Sequence, residues 1–226
     1  MTDTARKRAD FRALHQDGFF LLPNAWDGGS AVRLAKKGFR AIASTSAGAA
    51  WAAGKDDGEL GRDAVLAHLE MLVAATDLPV NADFENGFAD APEDVATNVT
   101  LAAQRIAAAR EAIDRVDPAL MLVGRSENFR VPGMAPSESI ARAVAYAEAG
   151  ADCLFVPFLL DHGAVAELVA AVAPKPVNVV IHDYDAAGIA ALAALGVRRC
   201  SIGASLAQIS WAAFDDAAAR LKAAEG

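Results

Sequence analysis

The sequence predicts an α/β protein of the (β/α) TIM-type barrel class, in a single domain spanning residues 1–226. Three observations point there. Short apolar runs alternate with helix-periodic stretches from end to end, without a linker or a shift in composition. The runs are apolar on both faces, as parallel strands are when helices cover them. Polar residues follow nearly every run: Asn24, Ser44 to Ser46, Asp83 and Glu85, Arg125 and Glu127, His182 and Asp183. Functional groups supplied by many strand ends are the barrel's pattern. An open dinucleotide-binding sheet would want a G-x-G-x-x-G turn after its first strand, and Asn24-Ala25-Trp26-Asp27-Gly28-Gly29 is not one.

The elements follow in order. Residues 3–17 read as a helix ending at Gly18, and Phe19-Phe20-Leu21-Leu22 as a buried strand stopped by Pro23. A helix from Gly29 to Lys37 closes at Gly38. Ala41 to Thr45 is a second strand, running into a small, flexible segment, Ser46 to Ala50. Asp63 to Thr76 is strongly helix-periodic through Val65, Leu66, Leu69, Leu72 and Val73. Leu78 to Ala82 is the third strand. Asp90-Ala91-Pro92-Glu93-Asp94 reads as a helix start, with acids at the positive end of the dipole. Val95, Val99, Ala102, Ile106, Ala109 and Ile113 then recur every three or four residues, predicting about 22 helical residues, or about 33 Å. Strands at 120–125, 153–157, 177–181 and 200–203 alternate with helices at 137–149, 163–172, 186–195 and 206–223, giving seven strands in all.

Composition narrows the function. A formal net charge of −8 and no basic stripe argue against nucleic acid or an anionic membrane as partner. The charged start lacks the apolar stretch of a signal peptide and no run is long enough to span a bilayer, so a cytoplasmic protein is expected. Cys153 and Cys200 both sit in apolar strands and are expected to be buried, reduced thiols.

Asp83 and Glu85 end the third strand. Read as extended chain, positions i and i+2 share a face, so the two carboxylates would converge. With no Lys or Arg nearby in sequence, such a pair suits a hard cation such as Mg²⁺; solvated strand-end acids are the alternative. Arg125 can bind a substrate oxyanion or pair with Glu127 or Glu85. Ser44 to Ser46 can bind substrate or satisfy backbone groups, and Asp57 stands in an ordinary Asp-Asp-Gly turn. Trp26 is expected to wall a pocket, and Trp51 and Trp211 to pack or form interfaces. His182, before Asp183, is read as a surface or capping residue, and His15, His68 and His162 have no partner pattern.

Several motifs in this order resemble the isocitrate lyase and phosphoenolpyruvate mutase superfamily, above all its small carboxyphosphonoenolpyruvate phosphonomutase-like bacterial members. They are Leu22 to Asp27 with Gly29-Ser30-Ala31, Ser44-Thr45-Ser46-Ala47-Gly48, Gly54 to Gly58, Asn81 to Gly87, Gly124 to Phe129, Ala149 to Asp152 with Leu154, Pro176 to Val179, and Leu195 to Arg199. The resemblance covers most of residues 10–220. It implies a barrel of the phosphoenolpyruvate/pyruvate kind and a Mg²⁺-dependent lyase that breaks a C–C bond of a small 2-hydroxy or 2-oxo carboxylate through an enolate. C–P chemistry on a phosphonopyruvate-like substrate and a purely binding role are the alternatives.

By position, the resemblance makes Asp83 the direct metal ligand and Glu85 an acid reaching the metal through water. It makes Ser44, Thr45, Ser46, Ala47 and Gly48, with Trp26, the substrate-binding segment. Asp57 and Arg125 become catalytic residues, Arg125 also binding the substrate's carboxylate or oxyanion. A homo-oligomer is implied, dimer or tetramer, with the C-terminal helix exchanged between subunits. A barrel of this kind has eight strands, and the missing one would follow the third helix, where the helical phase runs unbroken from Val99 into Ala109. About forty residues, comprising an acidic strand and the loop that covers the site, are expected to be deleted there.

Overall fold

The computed structural model describes residues 3–88, 98–127 and 133–224. It contains two compact units, Met1–Leu21 with Ala89–Ser201 and Leu22–Phe88 with Ile202–Gly226. The predicted helix start at Asp90 to Asp94 lies outside the described residues.

The first unit is built on a five-stranded sheet in the order β1 (Phe20–Leu22), β8 (Arg199–Ser201), β7 (Val177–Val180), β6 (Cys153–Phe155), β5 (Val123–Arg125). Neighbours from β5 to β8 run parallel, with Arg125 opposite Phe155 and Asn178 opposite Arg199. Helices α5 (Val99–Val116), α6 (Pro136–Glu148), α7 (His162–Val172) and α8 (Ala186–Ala194) alternate with these strands. Their inward stripes supply the core: Ile140, Ala143 and Tyr146 from α6, and Val165, Leu168 and Val172 from α7. Cys153, Leu154, Val177 and Cys200 are fully or nearly fully buried, as strands covered by helices require. Both thiols are free, and burial pushes that of Cys200 up to about 12.

Helix α5 is unbroken from Val99 through Ala109, as expected, and runs on to Val116. Asn98 is extended (φ −105°, ψ 101°) and its side chain accepts from Leu101 N, capping the helix there. The helical residues expected before Asn98 lie outside the described residues. Helix α6 starts on Pro136, preceded by Ala135, one residue before the predicted start at 137.

A chain of buried polar side chains runs through this sheet. Arg199, 2% exposed, donates through Nε to Asn178 Oδ1 (3.0 Å), and Asn178 donates to Ser201 Oγ (3.0 Å). Arg199 Nη1 lies 3.1 Å from His15 Nε2, and His15 Nδ1 lies 2.8 Å from Phe11 O at the end of α1 (Asp3–Leu14). A carbonyl only accepts, so the imidazole proton sits on Nδ1 and Nε2 accepts from the guanidinium. Burial, and then the Arg199 charge, lower the His15 pKa to about 4.

The second unit carries a three-stranded parallel sheet, β2 (Asn24–Ala25), β3 (Ile42–Ser44) and β4 (Val80–Asn81). The predicted first strand is β1, and β2, beyond Pro23, is a short strand not expected from the sequence. Helices α2 (Gly28–Lys36) and α4 (Arg62–Ala75) pack together over a core of Ala25, Ala31, Leu34, Ile42 and Leu72. The segment expected to be flexible, Ser46 to Ala50, is helix α3 (Ser46–Ala52), capped by Thr45. Its alanines are strong helix formers, and Thr45 Oγ1 accepts from Gly48 N at 3.3 Å.

The chain ends in α9 (Ser205–Ala223), exposed from Gln208 onward, with Ile209, Trp211, Phe214 and Leu221 among its surface residues. No helix among the described residues is long and apolar enough to cross a membrane.

Candidate active site

The second unit gathers the predicted metal acid and the predicted substrate segment around one carboxylate. Asn24 and Ser44 stand at the ends of β2 and β3, both buried. Asn24 Nδ2 donates to Ser44 O (2.6 Å), and Asn24 Oδ1 accepts from Ile202 N (3.1 Å). Ser44 Oγ then accepts from Asp83 N (2.7 Å). The Asp83 carboxylate in turn accepts from Ser46 N on Oδ2 (3.2 Å) and from Glu85 N on Oδ1 (3.3 Å). Backbone donors of this kind favour the ionised carboxylate and fix where it points.

The route by which Asp83 and Glu85 come together differs from the strand geometry read in the sequence. Strand β4 ends at Asn81, and Glu85 has φ 47°, in the left-handed region. The two acids therefore share a tight turn closed by the Asp83 side chain, with Gly87 N donating to Phe84 O at 2.8 Å. The i, i+2 rule needs extended backbone, which Glu85 does not have.

Both acids are half-buried oxygen donors on one turn. Among the described residues no group of three or more His, Cys, Asp or Glu side chains could hold a metal. A two-carboxylate set suits Mg²⁺, which keeps several of its waters, better than a metal that needs a closed cage of protein ligands.

The substrate segment divides by accessibility. Ser44, Thr45 and Gly48 are buried, whereas Ser46 and Ala47 are half-exposed. A Cβ placed on Gly48 would stand 2.8 Å from Thr45 Cγ2 and 2.8 Å from Trp26 Cβ, so glycine is what lets α3 approach Trp26. Trp26 follows β2. Its N–H donates to Ser30 Oγ (3.0 Å), part of the Asp27–Ser30 capping box of α2, and its carbonyl lies 2.9 Å from His68 Nε2.

Two predicted residues lie on other elements. Asp57 is exposed in the turn between α3 and α4 and takes no part in the hydrogen bonds around Asp83. Arg125 ends β5 in the first unit, where its Nε lies 3.4 Å from Glu127 Oε1, the pairing left open in the sequence. Two residues were missed as members of the site: Asn24, noted only as a polar strand end, and His68, whose partner is a backbone carbonyl and so leaves no trace in residue spacing.

A parallel α/β protein with acids and hydroxyls at its strand ends belongs to the broad class of TIM-type folds. More narrowly, a sequence model of the family "Phosphoenolpyruvate phosphomutase" matches residues 11–104 and 97–222, and the chain belongs to that family. It is 39% identical to a crystal structure from Burkholderia cenocepacia J2315 provisionally designated a lyase/mutase, with a TM-score of 0.88 over 98% of this chain and 90% of that one. A second structure from that organism, provisionally designated a phosphonomutase, is 35% identical, with a TM-score of 0.82 over 97% of this chain and 98% of that one. The fold is also that of 2,3-dimethylmalate lyase, a PEP mutase/isocitrate lyase superfamily member, at 24% identity and a TM-score of 0.84 over 98% of this chain and 88% of that one. The fold class and superfamily read from the sequence are therefore those of the protein.

Proposed function

We propose that the protein is a Mg²⁺-dependent carbon–carbon lyase acting on a small 2-hydroxy or 2-oxo carboxylate through an enolate. The observation that carries this is the Asp83 carboxylate, held by the N–H groups of Ser46 and Glu85 beside the substrate segment. Asp83 and Glu85 hold the metal, which when bound supplies positive charge against the oxyanion that develops as the bond breaks. Ser46 Oγ and Ala47 N–H, on the half-exposed residues of the segment, meet the substrate carboxylate. Ser44, Thr45 and Gly48 act from beneath: Ser44 fixes Asp83, and Thr45 engages the Gly48 N–H. Trp26 walls the site. Arg125 is assigned to a substrate oxyanion on the resemblance, its guanidinium being suited to bidentate carboxylate binding.

We propose further that the chain is shortened beside residues 97–104, where the two family-model segments overlap. A site without its covering loop would admit water to an enolate, so turnover should be slow relative to ligand binding. The second reading is C–P chemistry, supported by the similarity to the structure designated a phosphonomutase. The first test is calorimetry with oxalate, a mimic of the enolate's two oxygens, in saturating Mg²⁺. Oxalate binds the wild type and loses affinity in Asp83→Ala and in Arg125→Ala. No oxalate binding, with Asp83→Ala unchanged in every respect, would remove both enzymatic readings.

A further inference from the structure

The inward stripe of α4 runs through Val65, Leu69 and Leu72, apolar residues packed on the unit's two cores. His68 lies three residues after Val65 and four before Leu72, a position where an apolar side chain would serve packing equally well. Its polarity has one visible use: Nε2 lies 2.9 Å from the carbonyl of Trp26, 42 residues away in sequence. The first residue of α2, two positions after Trp26, lies close to α4 further along. A Cβ on Gly28 would stand 3.3 Å from Met71 Sδ and 3.5 Å from Ala75 Cβ.

Trp26 is thus fixed on three sides. Ser30 Oγ takes its N–H, the Gly48 backbone lies under its Cβ, and His68 holds its carbonyl. The first two constraints come from elements already carrying the site. The third comes from a helix that contributes no other site residue.

We infer that His68 is a positioning residue, which holds the Trp26 peptide so that the indole forms one wall of the substrate site. The link to substrate rests on the proposed function, in which Trp26 walls that site. Because the carbonyl can only accept, Nε2 must donate. His68 acts as a fixed strut.

The test uses the full chain with Trp51→Phe and Trp211→Phe, which leaves Trp26 as the single tryptophan. Two quantities are read: acrylamide quenching of Trp26 fluorescence, and the oxalate Kd in saturating Mg²⁺. His68→Leu keeps the bulk and removes the donor. Quenching should rise, and Kd should rise about tenfold, the effect of losing one partly buried hydrogen bond. In His68→Gln the amide nitrogen falls near the Nε2 position, so both quantities should return towards the parent. His68→Leu with parental quenching and parental Kd overturns the inference. If the parent itself does not bind oxalate, the proposed function fails while quenching still decides the role of His68. If circular dichroism shows that His68→Leu does not fold, His68→Gln is compared with His68→Asn, whose amide is too short to reach the carbonyl. Loss in the Asn variant alone supports the strut, and equal behaviour of the two overturns it.

Discussion

Asp83→Asn separates the two tasks assigned to one carboxylate. The variant keeps the side chain's size and one oxygen acceptor. It loses the charge and one of the acceptors now used by Ser46 N (3.2 Å) and Glu85 N (3.3 Å). Both bonds are long and the side chain is half-buried, so the structural cost is that of one modest hydrogen bond, about 1 kcal/mol. The bond from Asp83 N to Ser44 Oγ (2.7 Å) uses backbone and survives. The metal task is larger. An ion that binds only the folded chain, at a hundredfold excess over its Kd, adds about 2.7 kcal/mol. For a chain of this length each kcal/mol moves Tm by about 2–4 °C, so Mg²⁺ should raise the wild-type Tm by about 5–11 °C. The metal-free variant should melt only about 2–4 °C below the wild type, and Mg²⁺ should not raise it further. Thermal melts with and without MgCl₂, at ionic strength matched with NaCl, read both effects. An undiminished Mg²⁺ shift in Asp83→Asn would refute the assignment of this carboxylate to the metal.

Two other perturbations probe the packing of the two units, one in each. His15 is neutral in the folded chain down to about pH 4, whereas in the unfolded chain it gains a proton near pH 6.5. Between those values the unfolded state binds more protons, so stability falls as pH drops from about 6.5 to about 4, by about 3 kcal/mol, and this contribution is flat below. Urea titrations at several pH values should show that step in the wild type, and a smaller decline in His15→Gln; parallel profiles would contradict the buried neutral imidazole. Gly48→Ala places a Cβ 2.8 Å from Thr45 Cγ2 and Trp26 Cβ. Overpacking, at about 1–3 kcal/mol, outweighs the roughly 0.5–1 kcal/mol that alanine gains over glycine in a helix, so the urea midpoint should fall. An increase would show that Trp26 yields freely.

The order of strands and helices was legible because it rests on apolar runs and their periods, which belong to single stretches of chain. The misreadings share a cause. The Ser46–Ala50 segment looked flexible because glycine and serine mark loops, while its helical state depends on a cap from Thr45 and on packing at Gly48. The start of helix α5 was not read at Asn98 because that residue is conspicuous as a cap only when its side chain is seen on Leu101 N. The site was legible as residue types at strand ends, but not as contacts. Arg125 illustrates the limit: the sequence left Glu127 and Glu85 as possible partners, and only coordinates put Glu127 Oε1 at 3.4 Å.

Asp83 and Glu85 were paired in the sequence by a rule for extended chain, yet β4 stops at Asn81 and the pairing is made by a turn. The difference changes what the pair can do. In a strand, each carboxylate would be placed by its own Cα and the spacing would be fixed by the pleat. In the turn, Glu85 is placed by a hydrogen bond to Asp83 itself, and Asp83 by an acceptor on β3, Ser44 Oγ, and a donor on α3, Ser46 N. Asn24 extends that dependence to β2 and to Ile202 beyond β8. The geometry of both acids is thus set by a hierarchy with Asn24 and Ser44 at its base, neither of them able to supply a carboxylate. Loss of either amide or hydroxyl would disturb the acid pair without removing a ligand, a dependence that residue types at strand ends do not reveal.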